Sequence, residues 1–163
     1  MISISRGRPF VHDSAKHQNA KDRYKQIVAV HLVLQRDAQI LFQLRKNTGY
    51  EDGSYSLPGG HVEADETAIV ALQREMQEEL CIEFNPADVE FAHVSHRKGD
   101  DHERIDFFFI VKKWRGEVTN GEPNKCDGFV WATRKTVPGK LVDYIKNALE
   151  HIEADKPYSQ FAW

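Results

Sequence analysis

Eight consecutive residues, Ile27 to Leu34, read IVAVHLVL. Apolar side chains occupy both alternating sets of positions, so this run is not a strand with one wet face. It reads as a central strand buried on both sides. A strand of that kind needs protein on either face, and the rest of the chain must supply it. Arg36, Asp37 and Ala38 make a turn, and Gln39 to Arg45 (QILFQLR) is the partner strand of a hairpin. The following segment, KNTGYEDGSYS, is rich in Gly, Asn, Asp and Ser and reads as a loop leading to Leu57-Pro58-Gly59-Gly60.

A helix is expected from Thr67 to Leu80. Thr67 is its N-cap, and Asp65 and Glu66 place negative charge at the positive end of the dipole. Ile69, Leu72, Met76 and Leu80 share one buried stripe. Beyond Pro86 come strand-like runs from Val89 to Val94 and from Ile105 to Trp114, joined by the charged turn RKGDDHER. A loop with Gly116, Gly121 and Pro123 precedes a short strand, Phe129 to Ala132. A last amphipathic helix, Leu141 to Ile152, follows Pro138. The order β-β-loop-α-β-β-loop-β-α gives a mixed α/β domain with helices against a sheet.

The 163 residues amount to about one domain, with no internal repeat or long linker. Residues 1–25 are polar and read as an N-terminal extension, 26–153 as the folded domain, and 154–163 as a C-terminal tail. Phe10, Val11 and Tyr24 give the extension some apolar contact area, which makes a homodimer the expected assembly. With 22 Lys and Arg against 25 Asp and Glu, the net charge is −3 and gives no general pull toward a nucleic-acid polymer. No apolar run approaches the roughly 20 residues that span a bilayer. The first residues, MISISRGRPFVHDSAK, lack the apolar core of a signal peptide. The two cysteines, Cys81 and Cys126, read as free thiols in a reducing cytoplasm.

The segment Gly60 to Ile82, GHVEADETAIVALQREMQEELCI, carries the chemistry. At about 100° per residue, the apolar stripe spans about 300° to 20° when Ile69 is set at zero. Glu75, Glu78 and Glu79 then span about 180° to 280°, on the flank beside the stripe. Clustered carboxylates repel one another unless a cation neutralises them, and hard oxygen ligands select Mg²⁺ or Mn²⁺ over zinc. Ala68 and Ala71 fall on the same flank. Their small side chains allow the glycine-rich loop to lie close, so that a carbonyl of Gly59 or Gly60 completes the site. The fixed pattern is Gly60, Glu66, Arg74-Glu75, Met76 and Glu78-Glu79. Chance produces it in roughly 10⁻⁵ of chains this long, from composition alone.

This segment resembles the signature of the Nudix hydrolases, Gly-x5-Glu-x7-Arg-Glu-apolar-x-Glu-Glu-x-Gly-apolar. One fixed position differs: Cys81 stands where the family has Gly. The surrounding elements fit a Nudix-type α/β/α sandwich, a mixed β-sheet between helices. The resemblance implies hydrolysis of a nucleoside diphosphate linked to another group, with Mg²⁺ as cofactor and Mn²⁺ as substitute. It implies that Glu78 and Glu79 bind metal, that Glu75 is a ligand or the general base, and that Arg74 orients it. Gly59 or Gly60 would add a carbonyl, and a later carboxylate would join, Glu122 first and Asp127 second. Arg45 stands where MutT-type members contact phosphate, and Arg104 and Asp127 are candidates for the base. Lys140 stands near an amide that reads the base in those members. Trp131, His61, His93 and His96 read as packing or solvated positions. In the MutT-like branch the substrate is a nucleoside triphosphate, cut to a monophosphate and pyrophosphate by attack at the β-phosphorus. The alternatives are a nucleotide-sugar or other nucleoside diphosphate derivative, or a module that senses a nucleotide without cleaving it. Cys81 would hold a left-handed conformation at a cost of about 1 kcal/mol.

Overall fold

The structure, a computed structural model, describes residues 24–99 and 102–163. The expected dimer contacts at Phe10 and Val11 lie outside the described residues, whereas Tyr24 is exposed. The described residues form strands β1 (Ile27–Arg36), β2 (Gln39–Arg45), β3 (Tyr55–Ser56) and β4 (Gly59–His61). Helix α1 (Ala68–Leu80) follows, then β5 (Val89–Lys98), β6 (Glu103–Val111), β7 (Cys126–Ala132), α2 (Asp143–Glu153) and β8 (Tyr158–Phe161). No helix among them is long and apolar enough to cross a membrane.

The strands join in the order β3-β2-β1-β6-β5-β8, with β4 also paired to β1 and β7 to β2. The sheet is mixed: β1 runs parallel to β6, β5 antiparallel to β6, and β8 parallel to β5. At its end β1 pairs with β2, through Gln35↔Ile40 and Arg36↔Gln39. Earlier along β1 its neighbour is β4, through Ala29↔His61, Val30↔Gly60 and His31↔Gly59. The hairpin therefore splays, and a cleft opens between β1–β4 and β2–β3.

Each face of β1 is covered by one helix, as its doubly apolar sequence requires. Val30, Leu32 and Leu34 pack with Leu72, Met76 and Leu80 of α1, all fully buried. Val33 and Phe108 pack on the other face with Tyr144, Ile145 and Leu149 of α2. Burial of each such side chain contributes about 1.5–3 kcal/mol. Thr67 caps α1, its hydroxyl accepting from the Val70 N–H. Ala71 is fully buried while Ile69 is only partly so, a stripe rotated slightly from the expected one.

Several boundaries differ from the sequence reading. Strand β6 stops at Val111 rather than Trp114, because its antiparallel partner begins at Val89, opposite Val111. Trp114 instead stacks on Trp131 at 6.0 Å, with the Arg36 guanidinium 4.0 Å from the Trp131 ring. Strand β7 begins at Cys126 rather than Phe129, since Arg45 and Leu44 extend the pairing to Cys126 and Gly128. The short strands β3 and β4 fall in and after the segment read as a loop. The tail folds back as β8, with Val94 to Arg97 opposite Tyr158 to Phe161.

Candidate active site

Three close approaches bring the carboxylates of α1 to the cleft. A Cβ on Gly60 would run into the Glu75 carboxylate, so only glycine lets β4 lie this close to the helix. The Gly59 N–H donates to Glu79 Oε2 at 2.8 Å. The segment before β7 then docks on the end of α1, Thr119 N–H donating to the Leu80 carbonyl and Gly121 N–H to that of Glu79, both at 3.0 Å. A Cβ on Gly121 would overlap the Glu78 carbonyl. That docking carries Glu122 to the cleft wall shared by Glu75 and Glu79.

Arg74 is the principal cation of this acidic end. Its Nε and Nη2 donate to the two oxygens of Glu66 at 2.8 and 3.0 Å. Its Nη1 donates to Glu75 Oε1 at 2.8 Å and to Glu78 Oε2 at 3.3 Å, and Nη2 also reaches the His61 carbonyl at 3.1 Å. These bonds hold Glu66 below the usual carboxylate range and push Arg74 up. Glu75 moves the other way. Burial raises it most, Arg74 opposes, and Glu78 and Glu122 add to the rise. Glu79 keeps an accessible edge, yet protein crowds its carboxyl. Burial pushes it up to about 8; the Gly59 N–H opposes, and the charges of Glu75 and Glu122 reinforce the rise. Lys125 binds Glu122 Oε1 at 2.7 Å. Glu78 stands at the rim, its side chain 53% exposed.

The groups gathered at this end, Glu75, Glu79 and Glu122, are carboxylates, and that chemistry suits a hard divalent cation. Among the described residues, no three His, Cys, Asp or Glu side chains converge tightly enough to share one ion. Arg74 and Lys125 instead neutralise Glu75 and Glu122. The fit lies in chemistry and charge: a crowded Glu79 facing two further carboxylates is a place where added positive charge relieves repulsion.

The cleft continues from the acids across the open end of the sheet, with a volume of about 510 Å³. Arg45 and Arg104 both line it. Arg45 donates to the Tyr50 carbonyl and the Thr48 hydroxyl, each at 2.9 Å, and Arg104 Nη1 lies 2.9 Å from His61 Nε2. Neither guanidinium has a carboxylate partner among the described residues. Burial and the Arg104 charge lower the His61 pKa. Asp127 lies outside the lining, exposed and paired with Lys46 at 2.9 Å. Lys140 is tied to Glu51 at 2.7 Å. His93 is fully buried between the Lys156 carbonyl and the Ser159 hydroxyl, and His96 contacts Gln26 and Glu103. Cys81 caps α1 in the left-handed conformation at φ 56°, and both cysteines are free.

The sequence reading missed the floor of the cleft. Asp106 is fully buried, accepts from Arg97 Nε at 2.9 Å and lies 3.2 Å from His31 Nε2. Arg97 sits 4.0 Å from the ring of Tyr144. The signal was present: His31 and Asp106 each interrupt a run of apolar strand residues, IVAVHLVL and IDFFFIV. An ionisable residue in such a place needs a partner, and each is the other's.

The NUDIX domain matches residues 24–152. The chain is 30% identical over 98 residues to an 8-oxo-dGTP diphosphatase of Proteus vulgaris, spanning 60% of this chain and 86% of that protein. It is 32% identical over 98 residues to an ADP-ribose pyrophosphatase of Methanocaldococcus jannaschii, spanning 60% of this chain and 57% of that one. The fold is similar to the crystal structure of a MutT NUDIX hydrolase from Burkholderia pseudomallei, with a TM-score of 0.71 and 26% identity over 77% of this chain and 97% of that one.

Proposed function

The chain belongs to the NUDIX family of hydrolases, and within it we propose a nucleoside triphosphate pyrophosphohydrolase that releases a monophosphate and pyrophosphate and so cleans the nucleotide pool. One observation carries this reading. A cleft of about 510 Å³ joins a carboxylate cluster to two guanidiniums, Arg45 and Arg104, that no carboxylate among the described residues neutralises. That volume is within the roughly 300–1,000 Å³ of small-molecule sites. It suits a small nucleotide rather than a nucleic-acid polymer.

In this reading Glu75, Glu78, Glu79 and Glu122, with a carbonyl of Gly59 or Gly60, hold Mg²⁺, for which Mn²⁺ can substitute. The metal, when bound, neutralises the phosphoanhydride and lowers the pKa of an attacking water. Arg74 orients Glu75 through the 2.8 Å bond, and Glu66 fixes Arg74 in turn. Glu75, which burial makes a stronger base than an exposed carboxylate, is suited to take a proton. Arg45 and Arg104 bind the phosphate chain with their charge intact. Asp127, held by Lys46 outside the cleft, has no part in this reading, and Glu122 supplies the later carboxylate.

The ADP-ribose relative favours a second reading, cleavage of a nucleoside diphosphate joined to a sugar. A hydrolysis screen across nucleoside triphosphates, nucleotide-sugars and ADP-ribose, with identified products, separates the two. The expected products are a monophosphate and pyrophosphate, with ¹⁸O from solvent water in the pyrophosphate. Label in the monophosphate moves the attack to the α-phosphorus. Orthophosphate as the first product overturns the assignment, and faster cleavage of ADP-ribose establishes the second reading.

A further inference from the structure

Arg97 differs from the other guanidiniums of the cleft. It is 9% exposed, whereas Arg104 and Arg45 stand nearer solvent. Its charge is matched by fully buried Asp106, bound through Nε alone at 2.9 Å. Nη1 and Nη2 donate to no partner among the described residues, and the side chain lines the cleft. Tyr144 packs against the guanidinium at 4.0 Å, and Asp106 is itself fixed from the far side by His31, whose ring stacks on Phe108 at 4.8 Å. The guanidinium plane is therefore set before any ligand arrives.

A matched, buried guanidinium offers little net charge to a phosphate. It offers two parallel N–H donors in a fixed fork, the geometry that pairs with two adjacent acceptors. Phosphate finds better partners in Arg45 and Arg104, which retain their charge. Resting on the nucleotide reading above, we infer that Arg97 is a specificity-determining residue, its free Nη donors reading a base that presents a ring nitrogen and a carbonyl oxygen side by side. Guanine (N7 and O6) and cytosine (N3 and O2) present that pair. Adenine pairs each such ring nitrogen with an amino donor, and uracil places an N–H between its carbonyls. Asp106 and His31 are positioning residues that hold the fork.

Binding of GMP, CMP, AMP and UMP by titration calorimetry tests this without hydrolysis. The wild type should bind GMP and CMP about tenfold more tightly than AMP and UMP, a single well-placed bidentate pair discriminating by at least that much. Arg97→Lys keeps the charge opposite Asp106 and loses the fork. It should erase the preference while AMP binding stays within about twofold, and in turnover it should raise KM for GTP and CTP with kcat little changed. A probe on the ligand side needs no variant: 7-deaza-GMP lacks the N7 acceptor and should bind the wild type like AMP. Equal binding of all four monophosphates, undiminished binding of 7-deaza-GMP, or a folded Arg97→Lys protein that retains the preference would each overturn the inference. If the preference is found but no triphosphate is cleaved, the base-reading role stands and the pyrophosphohydrolase reading falls.

Discussion

At one end of the cleft Glu75, Glu79 and Glu122, with Glu66 and Glu78 beside them, meet Arg74 and Lys125 as their cations among the described residues. At the other end the fully buried Asp106 lies between Arg97 and His31. The first arrangement carries excess negative charge, and burial with like charge holds Glu79 up at about 8. The second is matched, and there the partners prevail: burial pushes Asp106 up, but His31 and Arg97 outweigh it and hold the carboxyl at about 2. The difference teaches where each group does its work. The acidic end spends stability to create a demand for positive charge, and the floor spends charge to create rigidity.

Removing divalent cations should have the largest effect. Excess chelator should abolish turnover, and undiminished rates in EDTA would break the acidic half of the comparison. Glu79→Gln should lower kcat by about a hundredfold or more, since it removes a charge from the proposed metal site. The same variant should melt no lower than the wild type, because a neutral amide fits a crowded position where burial already disfavours the charged carboxylate. Asp106→Asn should show the reverse pattern, with stability falling by about 3 kcal/mol when Arg97 is left without its buried partner. Chemical denaturation of the two variants side by side checks the contrast; equal destabilisation would erase it. Acid should act on the floor as well. The folded pKa of Asp106, about 2, lies below its ordinary 3.8, so its ionisation stabilises the fold above about pH 4 and that contribution is lost as pH falls through 2. In Asp106→Asn the melting temperature should vary less between pH 4 and 2. The smallest effect concerns neither end. Cys81→Gly should raise stability by about 1 kcal/mol, because glycine adopts the left-handed cap without strain.

Half of this comparison was legible before folding. Glu75, Glu78 and Glu79 lie within one helical turn of each other, so helix periodicity alone puts them on one flank. The strands β1 and β2 and helix α1 were equally plain, because their patterns are local and strongly periodic. The floor was not legible in the same way. His31, Arg97 and Asp106 come from three strands, and they meet only through the registers Ala29↔Asp106 and Arg97↔Arg104. No local pattern encodes those pairings. Strands β3, β4 and β8 were missed for a related reason: Tyr55–Ser56, Gly59–His61 and Tyr158–Phe161 are too short to show a period, and they extend only because a partner strand waits beside them. Glu122 was expected through resemblance rather than pattern, and the docking of Gly121 against α1 is what brings it to the cleft wall.

Strand β8 also bears on how the sheet is protected. Its residues cover the open edge of β5, the strand that carries Arg97. The same ending seals His93 with Ser159 and the Lys156 carbonyl, and brings Trp163 Nε1 to the His96 carbonyl at 3.1 Å. Without β8, β5 would present a bare row of backbone donors and acceptors, the kind of edge that recruits other chains. A chain cut before Tyr158 would keep the acidic helix and carry a sticky, unsealed edge beside Arg97.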